Sequence, residues 1–430
     1  MKTELYNYDI YPKVIETGKE TTVAIAPLGF HARFSKESYD ITVAPMNETI
    51  RNLPDRKYAQ YTVCPENGIL KFTHDFKSEG EYIIAFDAIE MHLYALEADL
   101  IGKRPYIGDL HVHSCHSDGR ESPAVVAANY RKSGFDFLAI TDHGKYEPSL
   151  EAIGAYKDAP VDLCLMAGEE VHAPENMSHY IHFGGNFSIN KLAYDDAAAY
   201  RSEVSEIEKT LDMPEGVRQY SREYASLLWV CRKIREAGGC SVMAHPNWIH
   251  DHAYHKPMDL FFYELKEKPF DAFELIGGQP MWDNWTVYEN QMQVSIWQQS
   301  REDGYFVPPV GSSDSHGTVN CEFNYFKIGK TVVLCDKLDK DSIIGAIREN
   351  RSVALEQYRG EKMPRCYGKH RYAAFVMFLL SEYFPLHDDL CYEEGRLMKD
   401  YACGSAEAKS RLAALRGQTG KLLEKYWANP

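Results

Sequence analysis

Short apolar runs separated by turn residues make up the N-terminal part of the chain, up to about residue 104. They predict strands at residues 21–26, 39–43, 60–63, 69–73, 82–87 and 92–96. Asn67-Gly68 predicts a hairpin turn between two of these strands. Evenly spaced short strands are typical of an antiparallel β-sandwich, which we expect over residues 1–104.

The hydrophobic pattern changes after residue 105, where continuous apolar runs alternate with amphipathic segments. The runs predict strands at residues 135–140, 161–166, 241–244, 272–276, 307–310 and 331–334. Helices are predicted after Ser122 and Pro123, which suit the N-cap and first helical position, and over 223–237 and 341–350. This alternation predicts an α/β domain over 105–357, with a parallel barrel whose site lies at the carboxyl ends of its strands.

The C-terminal segment, residues 358–430, has apolar residues such as Phe375, Phe378 and Leu379 at helical spacing. We predict a helical appendage that packs on the barrel or forms a dimer interface, because apolar stripes at this spacing usually face a core. An oligomer through these helices is therefore one expectation.

Composition narrows the classes of partner. The chain has 430 residues, with 47 basic and 63 acidic side chains and a formal charge of −16. This balance argues against nucleic acid or an anionic membrane as the main partner. The ten cysteines are scattered without a CxxC pair, so a reducing cytoplasm is expected. The longest apolar run, Ala373–Leu380, is far shorter than the roughly 20 residues of a membrane helix, and no signal peptide is seen.

Histidines and carboxylates recur directly after the apolar runs, and this pattern indicates a metal site. The segments are Asp109-Leu110-His111-Val112-His113, Ser117-Asp118-Gly119, Thr141-Asp142-His143, Gly168-Glu169-Glu170, Ser178-His179, Ala244-His245-Pro246 and Ser313-Asp314-Ser315-His316. Imidazole and carboxylate without paired thiolates suit zinc, manganese or iron in a hydrolase.

Local spacing assigns roles to some of these residues. His111 and His113 are two apart, so on an extended chain both rings face the same side and can bind one ion. Asp118 is a ligand candidate, with a helix N-cap as its alternative role. Asp142 is predicted to orient a neighbour rather than to bind metal itself.

These motifs resemble those of the PHP (polymerase and histidinol phosphatase) superfamily of metal-dependent phosphoesterases, and the resemblance covers residues 107 to about 357. It implies a distorted (β/α)7 barrel holding two or three divalent ions. It also implies one ion on His111, His113 and Asp314, and a second on His179 and His245 that shares Glu170 with the first. The implied nine ligands are His111, His113, Asp118, His143, Glu170, His179, His245, Asp314 and His316, of which Asp118, His143 and His316 would hold a third ion.

Two assignments have close alternatives. Glu170 fits the family pattern Gly-x-Glu, but Glu169 is adjacent, and only one of them can face the site from a strand. His179 fits the family-like spacing before Gly184, with His182 as the alternative. The remaining histidines of this region are interpreted as ordinary surface or packing residues, although the 250–255 loop could overhang the site: His116, His172, His250, His252 and His255.

The expected activity is hydrolysis of a small-molecule phosphomonoester or phosphodiester by a metal-bridging hydroxide, since paired cations lower the pKa of a shared water. Glu170, Asp314 and His316 are the expected catalytic residues, with Arg120 and Lys145 as candidates for binding the substrate phosphate. The N-terminal sandwich together with the PHP-like barrel resembles the carbaryl-hydrolase-like branch, so a carboxyl-ester or carbamate hydrolase is an alternative. A non-catalytic metal-binding module is a third reading, against which the complete ligand set argues.

Overall fold

A computed structural model of the chain describes residues 7–48, 58–250, 252–278, 283–319 and 326–428. The chain divides into two compact units. The first comprises residues 1–104, 374–390 and 417–430, and the second comprises residues 105–373 and 391–416. The segment 358–430, which the sequence predicts to be one helical appendage, therefore contributes residues to both units.

The first unit contains two sheets that share one hydrophobic cluster. Ile25 and Phe72 enter this cluster from one sheet, and Ile41 and Ile84 enter it from the other. The sheet orders are β1-β3-β6 and β2-β8-β7-β4-β5. The strands are Tyr8–Tyr11 (β1), Val14–Glu16 (β2), Glu20–Pro27 (β3), Tyr39–Pro45 (β4), Ala59–Val63 (β5), Leu70–Asp75 (β6), Gly80–Phe86 (β7) and Ile89–Leu96 (β8).

Two details of this unit differ from the sequence prediction. The turn at Asn67 and Gly68 forms, with positive φ angles of 51° and 76° and Glu66 paired with Ile69 across it. The strands on either side, however, join different sheets, because β5 pairs with β4 and β6 pairs with β3. The pairing is also not wholly antiparallel, since β2 runs parallel to β8.

The second unit is a mixed α/β arrangement, as the alternation of strands and helices predicts. Its strands are Arg104–Asp109 (β9), Phe137–Ala139 (β10), Cys164–Met166 (β11), Gly168–Val171 (β12), Tyr180–Phe183 (β13), Cys240–Met243 (β14), Ile249–His250 (β15), Ala253–Tyr254 (β16), Ala272–Ile276 (β17), Pro309–Gly311 (β18), Gly329–Cys335 (β19), Ser352–Glu356 (β20) and Arg365–Tyr367 (β21). They form sheets in the orders β11-β10-β9-β19-β20-β21 and β12-β13-β14-β17-β18, with β15 and β16 as a separate pair.

Strand direction brings the chemically important ends of this unit together. Strands β9, β10 and β11 are parallel, as are β14, β17 and β18. Strand β13 is antiparallel to both neighbours, so it begins at the edge where β12 and β14 end. Two isolated parallel bridges, Val112 to Ser315 and His143 to Glu170, join the carboxyl ends of one sheet to those of the other.

The helices follow the polar and apolar pattern closely. They are Pro123–Lys132 (α1), Glu147–Tyr156 (α2), Ile189–Asp195 (α3), Ala197–Lys209 (α4), Ser221–Glu236 (α5), Met258–Glu267 (α6), Asp283–Glu302 (α7), Lys340–Arg348 (α8), His370–Glu382 (α9), Phe384–Ala402 (α10), Ala408–Leu415 (α11) and Gln418–Tyr426 (α12), with short 3₁₀ turns at Met46–Glu48 and Arg218–Tyr220. Ser122 and Pro123 begin α1 as predicted. Within the described ranges, no helix has the length and apolar character needed to cross a membrane.

The interior of the second unit is built from the apolar strand residues that the sequence predicts. Phe137, Val242, Ala272 and Val310, from four different strands, lie in one buried cluster. A rigid apolar interior of this kind fixes the strand ends, so polar side chains placed directly after the strands are held in defined positions.

Candidate metal centre

Most of the predicted ligands lie at the carboxyl ends of the strands, close enough to one another to bind a common ion. Three groups that consist wholly of predicted ligands have ligand atoms that lie within 4.8 Å of each other. They are His111 with His113 and Asp314, His111 with Glu170 and His245, and His113 with Asp118, His143 and His316. His179 belongs to none of these groups but contacts Glu170 directly.

Asp314 faces both histidines of the first segment. Its Oδ1 lies 2.9 Å from Nε2 of His113 and 3.2 Å from Nε2 of His111. All three side chains are buried. The two rings reach the same carboxylate because they are two residues apart in extended chain just after β9, as the spacing predicts.

Glu170 presents a different oxygen to each of two imidazole pairs. Its Oε2 lies 3.6 Å from Nε2 of both His111 and His113. Its Oε1 lies 2.9 Å from Nδ1 of His179 and 3.4 Å from Nε2 of His245. A fully buried carboxylate with this geometry has the shape of a bridge between two cation positions.

The third group lies nearer the surface. Asp118, whose side chain is 53% exposed, places Oδ2 3.1 Å from Nε2 of His316 and 3.4 Å from Nε2 of His143. Gly119 allows the loop to turn here, because a Cβ at that position would lie 2.7 Å from the backbone of His113. The ring of His316 also stacks on that of His113 at a centroid distance of 4.3 Å.

The structure separates the two pairs of alternatives that the sequence leaves open. Glu169 points away from the ligand groups and pairs with His182, whose Nδ1 lies 3.2 Å from Oε1 of Glu169. Glu170 and His179 point towards the other ligands. The alternation of side chains along β12 and β13 accounts for this division.

Two of the predicted ligands have unusual backbone angles. Asp314 has a φ of 47° and His245 a φ of 20°, in the left-handed region that side chains with a Cβ rarely adopt. Such conformations cost about 1–3 kcal/mol and persist where the surroundings impose them, often at functional sites.

A layer of buried carboxylates holds the ligands in position. Asp109 accepts hydrogen bonds from the backbone N–H of Ser313 and the hydroxyl of Tyr130, which fixes the loop that carries Asp314. Asp142 accepts hydrogen bonds from the backbone N–H groups of Ser114 and Ser117, which fixes the loop between His113 and Asp118. Asp142 therefore orients a loop, the supporting role that the sequence predicts for it.

Glu274, on β17, is a supporting residue that the sequence analysis missed. Both of its carboxylate oxygens lie 3.3 Å from Nδ1 of His111, and Oε2 accepts the backbone N–H of His245. Its signal in the sequence is a single acid inside the otherwise apolar strand Ala272–Ile276. A charged residue fully buried in such a strand needs partners, and the two ligands supply them.

His172, predicted from the sequence to be an ordinary surface or packing histidine, lies beside two of the predicted ligands. Its Nε2 lies 2.9 Å from Nδ1 of His143 and 3.6 Å from Oε2 of Glu170. Its spacing of two residues from Glu170 matches that of His111 and His113 and could have identified it. In the 250–255 segment, of which residue 251 lies outside the described residues, His255 does approach the ligands, since its ring lies 5.3 Å from that of His179.

The two candidate phosphate-binding residues are exposed side chains on loops beside the third group. The ammonium of Lys145 donates a hydrogen bond to the backbone carbonyl of His116. Arg120 lies in the same loop as Asp118 and Gly119 and is exposed. Their role in binding a substrate stays a prediction.

The ionisable side chains of the centre strongly affect one another's pKa. Burial opposes ionisation of Glu170, but His179 and His111 outweigh this and hold its pKa well below its ordinary value. Burial likewise opposes a charge on His143, but the carboxylates of Asp118 and Glu170 beside it raise its pKa to about 10. Burial lowers the pKa of His179 to about 4. At neutral pH the centre therefore contains ionised carboxylates that need a cation or protonated imidazole beside them.

Hydrogen-bond geometry shows which ring nitrogens carry lone pairs. Nδ1 of His316 lies 2.8 Å from the backbone carbonyl of Asp314, which can only accept, so in the neutral ring Nε2 carries the lone pair. Nδ1 of His111 faces the carboxylate of Glu274, which leaves its Nε2 in the same state. In both rings that nitrogen faces the other ligands.

The residues present fit a divalent cation. Three buried atoms of the centre lie close to other ligand groups but make no hydrogen bond of acceptable geometry within the described part of the chain: Nε2 of His111, Oε2 of Glu170 and Nδ1 of His179. Buried polar atoms are rarely left without a partner, and an ion would supply one to each. Nitrogen and carboxylate oxygen are ligands that zinc, manganese and iron accept.

Comparison with known proteins gives limited matches. No family model matches the chain. A segment of 57 residues, 13% of this chain, is 40% identical to the DNA polymerase/3'-5' exonuclease PolX of Bacillus subtilis. The chain matches only about a tenth of that relative's length, 10%.

Two solved structures are similar at low sequence identity. One is a two-domain protein of Bacteroides vulgatus described as containing a predicted PHP-like metal-dependent phosphoesterase, at 14% identity and a TM-score of 0.43, covering 65% of this chain and 71% of the other. The second is a Bifidobacterium adolescentis protein named for a proposed metal-dependent phosphoesterase activity, at 18% identity and a TM-score of 0.35, covering 51% and 90% of the two chains. Both descriptions name a metal-dependent phosphoesterase, the kind of protein whose motifs this chain resembles.

Proposed function

We propose that this chain is a metal-dependent hydrolase of the PHP type that cleaves a phosphomonoester or phosphodiester of a small molecule. The observation that carries the proposal is the geometry of Glu170, whose two oxygens face two different pairs of imidazoles in a buried centre. The proposal includes the architecture expected from the resemblance, a distorted (β/α)7 barrel over 105–357 after a β-sandwich over 1–104.

The chain's own side chains would hold and orient the reactants. His111, His113 and Asp314 would bind one ion, and His179 and His245 a second that shares Glu170. Asp118, His143 and His316 would bind a third. When bound, two or three divalent ions of zinc, manganese or iron would lower the pKa of a water and polarise the phosphoester.

Asp314 and His316 have further expected roles. The neighbouring imidazoles hold the pKa of Asp314 below its ordinary value against the effect of burial, so its carboxylate is ionised at neutral pH and available to bind a cation. The hydrogen bond from Nδ1 of His316 to the Asp314 carbonyl keeps that ring oriented towards Asp118. Both residues therefore couple the third ligand group to the first.

A carboxyl-ester or carbamate hydrolase is the second candidate function. The observation that favours it is the hydrogen bond from the Lys145 ammonium to a backbone carbonyl, which directs one N–H of a candidate phosphate-binding cation towards the protein itself. A carbon ester needs no such cation, because a polarised carbonyl carries less charge than a phosphate.

The test combines metal analysis with a substrate panel. Purified protein is stripped with a chelator and reloaded with zinc, manganese or iron, and its release of p-nitrophenol from a phosphomonoester, a phosphodiester and a carboxyl ester is measured. We expect two or three ions per chain and phosphoester turnover that His111→Ala abolishes. Turnover of the carboxyl ester alone would favour the second candidate, and turnover unchanged in stripped protein would refute a metal-dependent reaction.

A further inference from the structure

His172 lies inside the metal centre, outside the nine ligands that the resemblance implies. It follows β12 directly and is two residues from Glu170, so both side chains face the same side of the extended chain. Its backbone N–H donates to Oδ1 of Asn190 at 2.9 Å, which fixes the position of the residue. Its side chain is one-third exposed, at 33%, and so can be reached from solvent.

The distances from His172 fit a shared ion. Its Nε2 lies 2.9 Å from Nδ1 of His143 and 3.6 Å from Oε2 of Glu170, and the three atoms form a group within 4.8 Å. Two ligands about 2.1 Å from one ion, separated as Nε2 of His172 and Oε2 of Glu170 are, would subtend an angle of roughly 120° at that ion. Such an angle is ordinary for a divalent cation with four or more ligands.

The ring packing supports the same reading. His172 stacks on His179 at a centroid distance of 3.9 Å and an angle of 24°. His113 and His316 stack in the same way, at 4.3 Å and 21°, within a group whose ligand atoms converge. Stacked imidazoles that present nitrogens along one edge therefore occur twice in this centre.

His143 explains why a further imidazole is needed beside Glu170. Its Nε2 faces Asp118, whereas its Nδ1 faces Glu170 and His172. A neutral imidazole has only one nitrogen with a free lone pair, so His143 can serve one of these two positions at a time. His172 supplies a nitrogen beside Glu170 when His143 binds on the Asp118 side.

We propose that His172 is a tenth metal-binding residue, which joins Glu170 in holding one of the ions. The inference rests on the proposed function, because it assumes that the centre binds divalent cations. His172 would add a nitrogen ligand to an ion that Glu170 binds. That ion should therefore be bound more tightly than it would be by the nine ligands that the resemblance implies.

The test measures metal binding rather than turnover. Stripped full-length protein is titrated with zinc or manganese by calorimetry, and bound metal is counted after gel filtration, for wild type, His172→Ala, His172→Gln and the control His116→Ala. His116 is an exposed histidine of the same unit that pairs with Glu151. We expect the control to match wild type, and both His172 variants to lose one ion or bind it at least tenfold more weakly.

The glutamine variant separates binding of an ion from a hydrogen bond. Its amide oxygen can accept a hydrogen bond from Nδ1 of His143 but is a poor replacement for an imidazole ligand. Full metal binding by either His172→Ala or His172→Gln would overturn the proposal. The ligand-field spectrum of the cobalt form gives a second readout, which must change in His172→Gln. A wild type that binds no metal would instead refute the proposed function itself.

Discussion

Two clusters that each pair a buried glutamate with histidine lie on opposite faces of β12 and β13. The Glu169 cluster consists of Glu169, His182, Ser188 and Asn190, and the Glu170 cluster consists of Glu170, His111, His179 and His245. Both glutamates are fully buried. A buried glutamate–histidine pair by itself therefore does not tell which of the two clusters binds a metal.

The clusters differ in how far the protein itself satisfies the glutamate. Glu169 accepts hydrogen bonds from the hydroxyl of Ser188, the amide of Asn190 and the backbone N–H of Ile189, at the beginning of α3. Nε2 of His182 makes no hydrogen bond within the described residues, but Gly185 packs so closely against it that a Cβ there would lie 2.0 Å away. The Glu169 cluster is thus closed by protein.

The Glu170 cluster, in contrast, contains buried polar atoms to which the described residues donate or from which they accept no hydrogen bond. Oε2 of Glu170, Nε2 of His111 and Nδ1 of His179 make no hydrogen bond to the described residues although they are buried. Such atoms cost free energy unless something else binds them. The comparison teaches that a buried glutamate oxygen left without a hydrogen bond, rather than buried charge as such, distinguishes the candidate binding face of this strand pair.

The largest contrast is expected from substituting each glutamate. Glu170→Gln should remove bound metal and reduce turnover below detection, because the carboxylate that faces both imidazole pairs is lost. Glu169→Gln should keep its metal but unfold more easily, by about 1–3 kcal/mol, because an amide N–H would face donors in a buried site. Elemental analysis and urea unfolding of both variants measure the two effects. Equal metal loss in both variants would contradict the distinction between the clusters.

Substituting one histidine from each cluster should give the same contrast between metal loss and destabilisation, with smaller effects. His179→Ala should weaken the binding of one ion, whereas His182→Ala should leave the number of ions unchanged and lower the free energy of unfolding by about 2 kcal/mol, since it leaves the buried Glu169 short of a partner. Metal titration and thermal unfolding distinguish the outcomes. If His182→Ala is the variant that loses the ion, the assignment of His179 is wrong.

The sequence predicts the centre better than it predicts the first unit, and for a physical reason. His111, His113, Asp314 and His316 follow apolar strands directly, and the strands set their positions, so spacing alone brings them together. The turn at Asn67 and Gly68 is equally local, and it forms. Which sheet each flanking strand joins depends on contacts with distant strands, which a turn motif does not encode.

Glu274 and His172 were harder to predict than the nine expected ligands, for different reasons. Glu274 lies 163 positions from His111, which it contacts, and only its place in an apolar strand indicated a role. His172 has a local signal, its spacing of two residues from Glu170, but most histidines with so little context are ordinary surface residues. The choice between Glu169 and Glu170 from strand alternation needed the register of β12, which the structure supplies.

Glu274 offers a way to weaken the Glu170 cluster without removing a ligand. Glu274→Gln keeps the shape of the side chain but no longer accepts from His111 with a full charge, so we expect metal affinity to fall by about 10–100-fold. The number of ions at saturating metal should stay at the wild-type value. Calorimetric titration checks this against Glu169→Gln as the matched buried control. An unchanged affinity would show that Glu274 does not orient His111 for metal binding.

The smallest effect is expected in the pH dependence of metal binding. In the metal-free protein the pKa of His143 is raised to about 10 by Asp118 and Glu170, so its ring carries a proton at pH 8 and must lose it to bind an ion. Affinity should therefore rise with pH towards 10, by about tenfold per unit for each proton released. Calorimetry at pH 8 in buffers of different ionisation enthalpy counts those protons, and His143→Ala should release about one fewer. Heats that do not depend on the buffer would mean that the centre is already deprotonated, and that its carboxylates do not hold protons on the histidines in the absence of metal.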